Sequence, residues 1–209
     1  MKGSILIIGA FVAGCVVGRL GWLPNWWLGG SLSLVVLYAL MLQVGIGIGS
    51  DSRLKEIFRS ITPRTLLVPC ATIVGTIFAS FLISFVLVRW SATEVMAVGC
   101  GFGYYSLSSI LVSSLKEAHI GLQAAAELGT ITLMANIFRE LMTLLFAPYM
   151  VKWFSPLGPI TAGGATTIDV TLPTITRFSG RDWLFVAILH GVVVDFSVPF
   201  LVPFFCSFN

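Results

Sequence analysis

The sequence predicts an all-α polytopic membrane protein, and three observations carry that prediction. The 209 residues are 57% hydrophobic and only 10% charged, with a mean hydropathy of +0.99. Water-soluble domains do not have this balance. Apolar runs of span length follow one another with brief polar interruptions. One such run, about 120–151, nevertheless holds Glu127, Asn136, Arg139 and Glu140. A charge at mid-membrane costs roughly 2.5–3.5 kcal/mol on insertion scales, so such residues are expected to face a cavity or a partner and to mark an ion or substrate path. Five to seven spans are expected in one domain over 1–209. Residues 1–90 supply the first three and 94–209 form the core.

The first span covers about 4–20 and includes Gly14 and Gly18 in a GxxxG spacing that permits close helix contact. Trp22, Trp26 and Trp27 around Pro24 and Asn25 read as an interfacial turn with an aromatic belt. The second span, about 32–49, ends in Gly45, Gly47 and Gly49. Next come Asp51, Arg53, Lys55, Glu56, Arg59 and Arg64, the most polar stretch of the chain. Its four basic residues assign it to the cytoplasm. That places the N-terminus inside, the tryptophan turn outside and the C-terminus outside. The third span, about 66–88, runs outward to Arg89 and Trp90.

Two segments are poor material for continuous helices. The first, about 96–115, centres on Gly99, Gly101 and Gly103, followed by Tyr104, Tyr105, Ser106 and Ser108. Irregular backbone at membrane depth is tolerated only inside protein or along a cavity. The segment therefore reads as broken or re-entrant, with hydroxyls and freed backbone groups turned toward substrate; a kinked packing helix is the alternative. The second, about 158–177, holds Gly163, Gly164, Thr166, Thr167, Asp169, Thr171 and Pro173. It is too polar for an ordinary span and too apolar for a solvated loop. A structured extramembrane loop is its alternative. Both segments crossing gives seven spans; both re-entrant gives five.

The helix between them has its own geometry. Asn136 and Glu140 stand at i,i+4 and Asn136 and Arg139 at i,i+3, so the three share one broad face. Arg139 and Glu140 are neighbours about 100° apart and reach toward different partners. Glu127 lies near the helix start, at an interface. A structural salt bridge between helices is the competing reading. The last span, about 183–205, carries His190 and Asp195, and Asp195 is a candidate partner for Arg139.

The four cysteines and two histidines form no metal-like spacing. No metal, cofactor or nucleic-acid partner is expected, and no enzymatic activity. Two broken segments flanking a helix with ionisable groups point to the midplane site of a secondary transporter. A channel would need rings of like residues. An intramembrane aspartyl protease would need a GxGD context, which Asp169 and Asp195 lack.

Three motifs then carry a resemblance. Residues 101–108 read GFGYYSLS, residues 127–129 and 136–141 read ELG and NIFREL, and residues 164–173 read GATTIDVTLP. In this order and spacing they resemble the lysine-exporter family of LysO type over nearly the whole chain. The resemblance implies a bacterial inner-membrane exporter of L-lysine and close analogues, driven by inward proton movement and distantly related to cation/proton antiporters. By their own chemistry Tyr104, Tyr105, Ser106, Ser108, Asn136, Arg139, Glu140, Thr166, Thr167, Asp169 and Thr171 read as the substrate contacts, and another small or cationic amino acid is the alternative cargo. Glu140 and Asp169 would alternate between a proton and an amine, with Glu127 and Asp195 as secondary candidates. Full-length members carry further N-terminal spans, so a small membrane partner subunit or a homo-oligomer is expected. Tyr104 stands where the family motif has Trp.

Overall fold

The computed structural model describes residues 62–208 and a few isolated positions before them. The two spans expected within 1–61, the basic loop, the tryptophan turn and Asn209 lie outside the described residues. Helix α1 covers Pro63–Ser84, α2 Ala92–Gly99, α3 Tyr105–Ile120 and α4 Leu122–Phe154. Helix α5 covers Leu157–Gly163, α6 Leu172–Ser179 and α7 Leu184–Cys206. A 3-10 turn at Gly164–Ile168 separates α5 from α6, and a shorter one at Arg181–Trp183 precedes α7. No strand occurs among the described residues.

Local chemistry explains the ends. Thr62 and Thr65 form a capping box at the start of α1, with Pro63 where its missing N–H costs nothing. Ser91 and Glu94 form another on α2. The 33 residues of α4 make a rod of roughly 50 Å. Its antiparallel neighbour α3 packs closely where Gly129 leaves room for the Ser113 hydroxyl.

Three stretches are long and apolar enough to cross a membrane: Pro63–Ser84, Leu122–Phe154 and Arg181–Cys206. Their outer faces are apolar: Leu67, Val74 and Phe78 on α1, Leu145 and Trp153 on α4, Phe196, Phe200 and Phe204 on α7 are all exposed. The interior holds Asn136, Glu140, Thr167, Thr171 and His190, each at most 3% exposed. Apolar outside and polar inside is the distribution that a lipid solvent selects.

Both odd segments are broken, and both turn back. Glu94, in the first turn of α2, lies 3.6 Å from Lys116, near the end of α3. A continuous helix would hold these two residues roughly 33 Å apart. Arg89, just before α2, pairs with Glu127 on the first turns of α4. The start of α2, the end of α3 and the start of α4 therefore share one side of the molecule, the Arg89 side. The second segment does the same from the other side. Ser179, ending α6, donates to Pro156 O just before α5 at 2.9 Å, against roughly 35 Å in a straight helix. Helix α7 then returns, and Lys116 Nζ donates to Phe208 O at 2.8 Å on the Arg89 side.

The described chain thus has three helices of span length and two hairpins, α2–α3 and α5–α6, that enter from opposite sides and turn back. Both segments turn back on themselves, which is the geometry a re-entrant topology requires. Cysteines introduced singly at Ser91 and Ala118 are expected to react with an impermeant thiol reagent from the same side of a sealed membrane. Cysteines at Ser155 and Arg181 should react from the other. Opposite-side labelling of Ser91 and Ala118 would contradict the hairpin.

Candidate functional site

The tips of the hairpins meet. Ala165 N donates to Phe102 O at 2.9 Å, one backbone bond between two breaks that enter from opposite sides. The approach is possible because Gly164 has φ +62° and no side chain; a Cβ there would run into Phe102 O. Gly103, φ +95°, lies against Gly163 O and the Thr166 methyl group. Phe102 is fully buried at φ +46°, a backbone conformation uncommon for residues with a side chain.

A break leaves backbone groups without helical partners, and α4 supplies them. Asn136 Oδ1 accepts from Gly103 N at 2.7 Å. Its Nδ2 donates to Val98 O at 3.2 Å and to Thr132 O at 2.9 Å. One turn along, Arg139 Nε donates to Ala162 O at 2.8 Å and Nη2 to Thr161 O at 3.0 Å. Its Nη1 lies 3.5 Å from Thr76 Oγ1 on α1, and the guanidinium sits over the Phe102 ring, 5.6 Å from its centroid. Asn136 thus holds the first break and Arg139 the second. The expected pairing of Arg139 with Asp195 is not what forms. The guanidinium is turned to the carbonyl end of α5, where a cation meets the negative end of a helix.

Several hydroxyls expected to face substrate are committed to the backbone instead. Ser108 Oγ donates to Tyr104 O at 2.7 Å. Thr166 Oγ1 donates to Gly163 O at 2.9 Å and lies 3.2 Å from Thr171 Oγ1. Thr167 Oγ1 lies 2.9 Å from both Gly164 O and Ala187 O. It also approaches His190 Nδ1 at 3.5 Å, while His190 Nε2 lies 2.9 Å from Thr72 Oγ1. His190 is fully buried and links α1, the second break and α7. Its signal in the sequence was an ionisable residue within an apolar span.

What remains reachable at the crossing is a smaller set. Asp169 is exposed, and Tyr104 and Ser106 are half-buried. Asp169 Oδ1 accepts from Val170 N at 2.5 Å. Tyr105, Asn136, Glu140, Thr166, Thr167 and Thr171 are buried. Glu127 sits apart, paired with Arg89 on the surface. Helices α3 and α6 both begin at the crossing, and neither start has a side-chain cap. Their N–H groups are positive ends suited to an anion. No group of three or more His, Cys, Asp or Glu among the described residues could hold a metal ion.

Replacing Asn136 by Leu removes the partner of Gly103 N–H in a buried place and one of the donors to Val98 O, which keeps its bond from Gly101 N. The orphaned N–H costs about 1–3 kcal/mol. Asn136→Leu is therefore expected to lower the denaturation midpoint of purified protein and its folded yield, with Asn136→Gln less affected. A midpoint equal to wild type for Asn136→Leu would show that the contacts do not hold the break.

The family model described as lysine exporter LysO matches residues 8–206. A protein of Haemophilus influenzae, named as a candidate lysine exporter, is 30% identical over 208 residues, covering 97% of each chain. The protein of Escherichia coli named lysine exporter LysO is 28% identical over 205 residues, 98% of this chain and 64% of that one. No solved structure matches the chain. On a match that runs through both hairpins and the helix between them, this chain belongs to the lysine exporter LysO family.

Proposed function

We propose that this protein exports L-lysine and close analogues across the bacterial inner membrane in exchange for protons moving inward. The observation that carries the reading is the crossing of two re-entrant hairpins beside buried carboxyl groups, in a chain similar to proteins named lysine exporters. Broken helices that meet inside a membrane offer uncompensated backbone ends, which transporters use to bind ions and zwitterions.

Lysine presents one carboxylate and two ammonium groups. The uncapped starts of α3 and α6 suit the carboxylate. Arg139 is better read as a positioning residue, because three of its nitrogens already serve Ala162, Thr161 and Thr76. Tyr104 and Ser106 border the reachable space, and Asp169 offers an exposed carboxylate to an amine. Glu140, 1% exposed and one turn from Asn136, is the group we assign to proton exchange. Burial distinguishes these two acids: exposed Asp169 meets cargo and buried Glu140 meets the proton. Asn136 and the threonines Thr166, Thr167 and Thr171 maintain the crossing that presents both. By this reading the Thr62 side is cytoplasmic and the Arg89 side external. Association with a small membrane partner or a second copy belongs to the same reading.

Glu140→Gln keeps size and hydrogen-bonding capacity but cannot titrate. The variant is expected to insert normally and to lose net lysine efflux together with its dependence on a pH gradient. Glu140→Asp should retain part of it. The measurement is lysine efflux from loaded liposomes, normalised to inserted protein. Normal pH-dependent efflux by Glu140→Gln, or rescue by pairing it with Arg139→Gln, would leave Glu140 a structural role only.

A further inference from the structure

One buried acid stands apart from the groups assigned to cargo and proton. Asp195 lies at the middle of α7, 8% exposed, and makes no hydrogen bond or ion pair among the described residues. Its direction follows from packing. Gly191, one turn earlier, lies so close to the second break that a Cβ would meet Thr167 Oγ1 at 2.5 Å and Ile168 Cγ2 at 2.6 Å. Positions i and i+4 share a helix face, so Asp195 faces the stretch that continues from Ile168 into Asp169. The two carboxyl groups act on each other electrostatically, and Tyr104, at the start of α3, lies in the field of both.

No cation among the described residues compensates them. Arg139 is turned to the carbonyls of α5, and His190 is held between Thr72 and Thr167. Lys116 binds Glu94 and Phe208 O at the Arg89 side. A buried acid without a partner is costly unless something neutralises it. A second acid beside it raises that cost. A substrate with a single ammonium leaves one of the pair uncompensated; a diamino acid compensates both.

We infer that Asp195 and Asp169, bordered by the Tyr104 hydroxyl, form a two-carboxyl site that selects substrates carrying two ammonium groups, with Asp195 the specificity-determining member. The inference rests on the reading of the crossing as the substrate site and adds what chooses the cargo there.

The experiment is counterflow of labelled L-lysine in liposomes without a pH gradient, competed by unlabelled L-lysine or by L-norleucine. Norleucine keeps the four side-chain carbons but lacks the terminal ammonium. Wild type should prefer lysine strongly. Asp195→Asn is expected to reduce that preference at least tenfold, chiefly by weakening lysine. An unchanged lysine-to-norleucine ratio overturns the inference, whether activity falls or not. So does loss of pH-gradient dependence with the ratio intact, which would make the pair a proton site.

If Asp195→Asn does not accumulate in the membrane, Asp195→Glu decides. Its longer stem should shift preference from lysine toward ornithine, one methylene shorter, and an unshifted preference overturns the proposal. A wild type that moves other diamino acids but not lysine would defeat lysine as the cargo and leave this inference standing. Lysine transport with a ratio insensitive to Asp195 would do the reverse.

Discussion

The structure depends on one backbone hydrogen bond, from Ala165 N to Phe102 O, made between two interrupted helices that enter from opposite sides. Two broken hairpins in an apolar setting would leave several N–H and C=O groups without partners, each at a cost of kilocalories. Helix α4 removes that cost on both sides of the bond. Asn136 provides both a donor and an acceptor for the first break, and Arg139 provides a fork of donors for the second. A neutral amide suits a break that offers the N–H of Gly103 and a second acceptor position on Val98 O. A guanidinium suits two carbonyls in sequence at a helix end.

This arrangement divides the polar interior by function. The ends of α2 and α5 are satisfied by α4, so their carbonyls are occupied. The starts of α3 and α6 have no side-chain cap and keep their positive character. Around them stand acids: Asp169 open to the outside, Asp195 enclosed, Glu140 more deeply enclosed one turn beyond Asn136. Positive backbone ends beside negative side chains are the complement that the proposed zwitterionic cargo requires. The apolar outer faces, with phenylalanines at 196, 200 and 204 along α7, keep that polarity inside the molecule.

Much of this was legible in the sequence, and the reasons are physical. Alternating glycines at 99, 101 and 103 and the Gly163-Gly164 pair cannot sustain a helix in an apolar run, so both breaks were visible. So were the charges of α4, because lipid makes them expensive. Re-entry was not legible: hydropathy measures how apolar a segment is, not whether it turns back. The decisive contacts, Glu94 with Lys116 and Ser179 with Pro156 O, join residues more than twenty positions apart. The task of Arg139 was hidden for a similar reason. Its partners are backbone carbonyls, which every residue carries, so no side chain announces them and Asp195 was the natural guess. Thr166, Thr167 and Thr171 read as substrate hydroxyls, whereas their recorded bonds run within the protein.

The central claim is that the crossing is a closed hydrogen-bonded junction with open helix starts beside it. Site-resolved amide hydrogen exchange of the protein in lipid nanodiscs tests it directly. The account predicts that the amides of Gly103 and Ala165 exchange as slowly as those inside α4, while Ser106 and Thr174, in the uncapped first turns of α3 and α6, exchange fast. Fast exchange at Gly103 and Ala165, at the rate of those first turns, would contradict it.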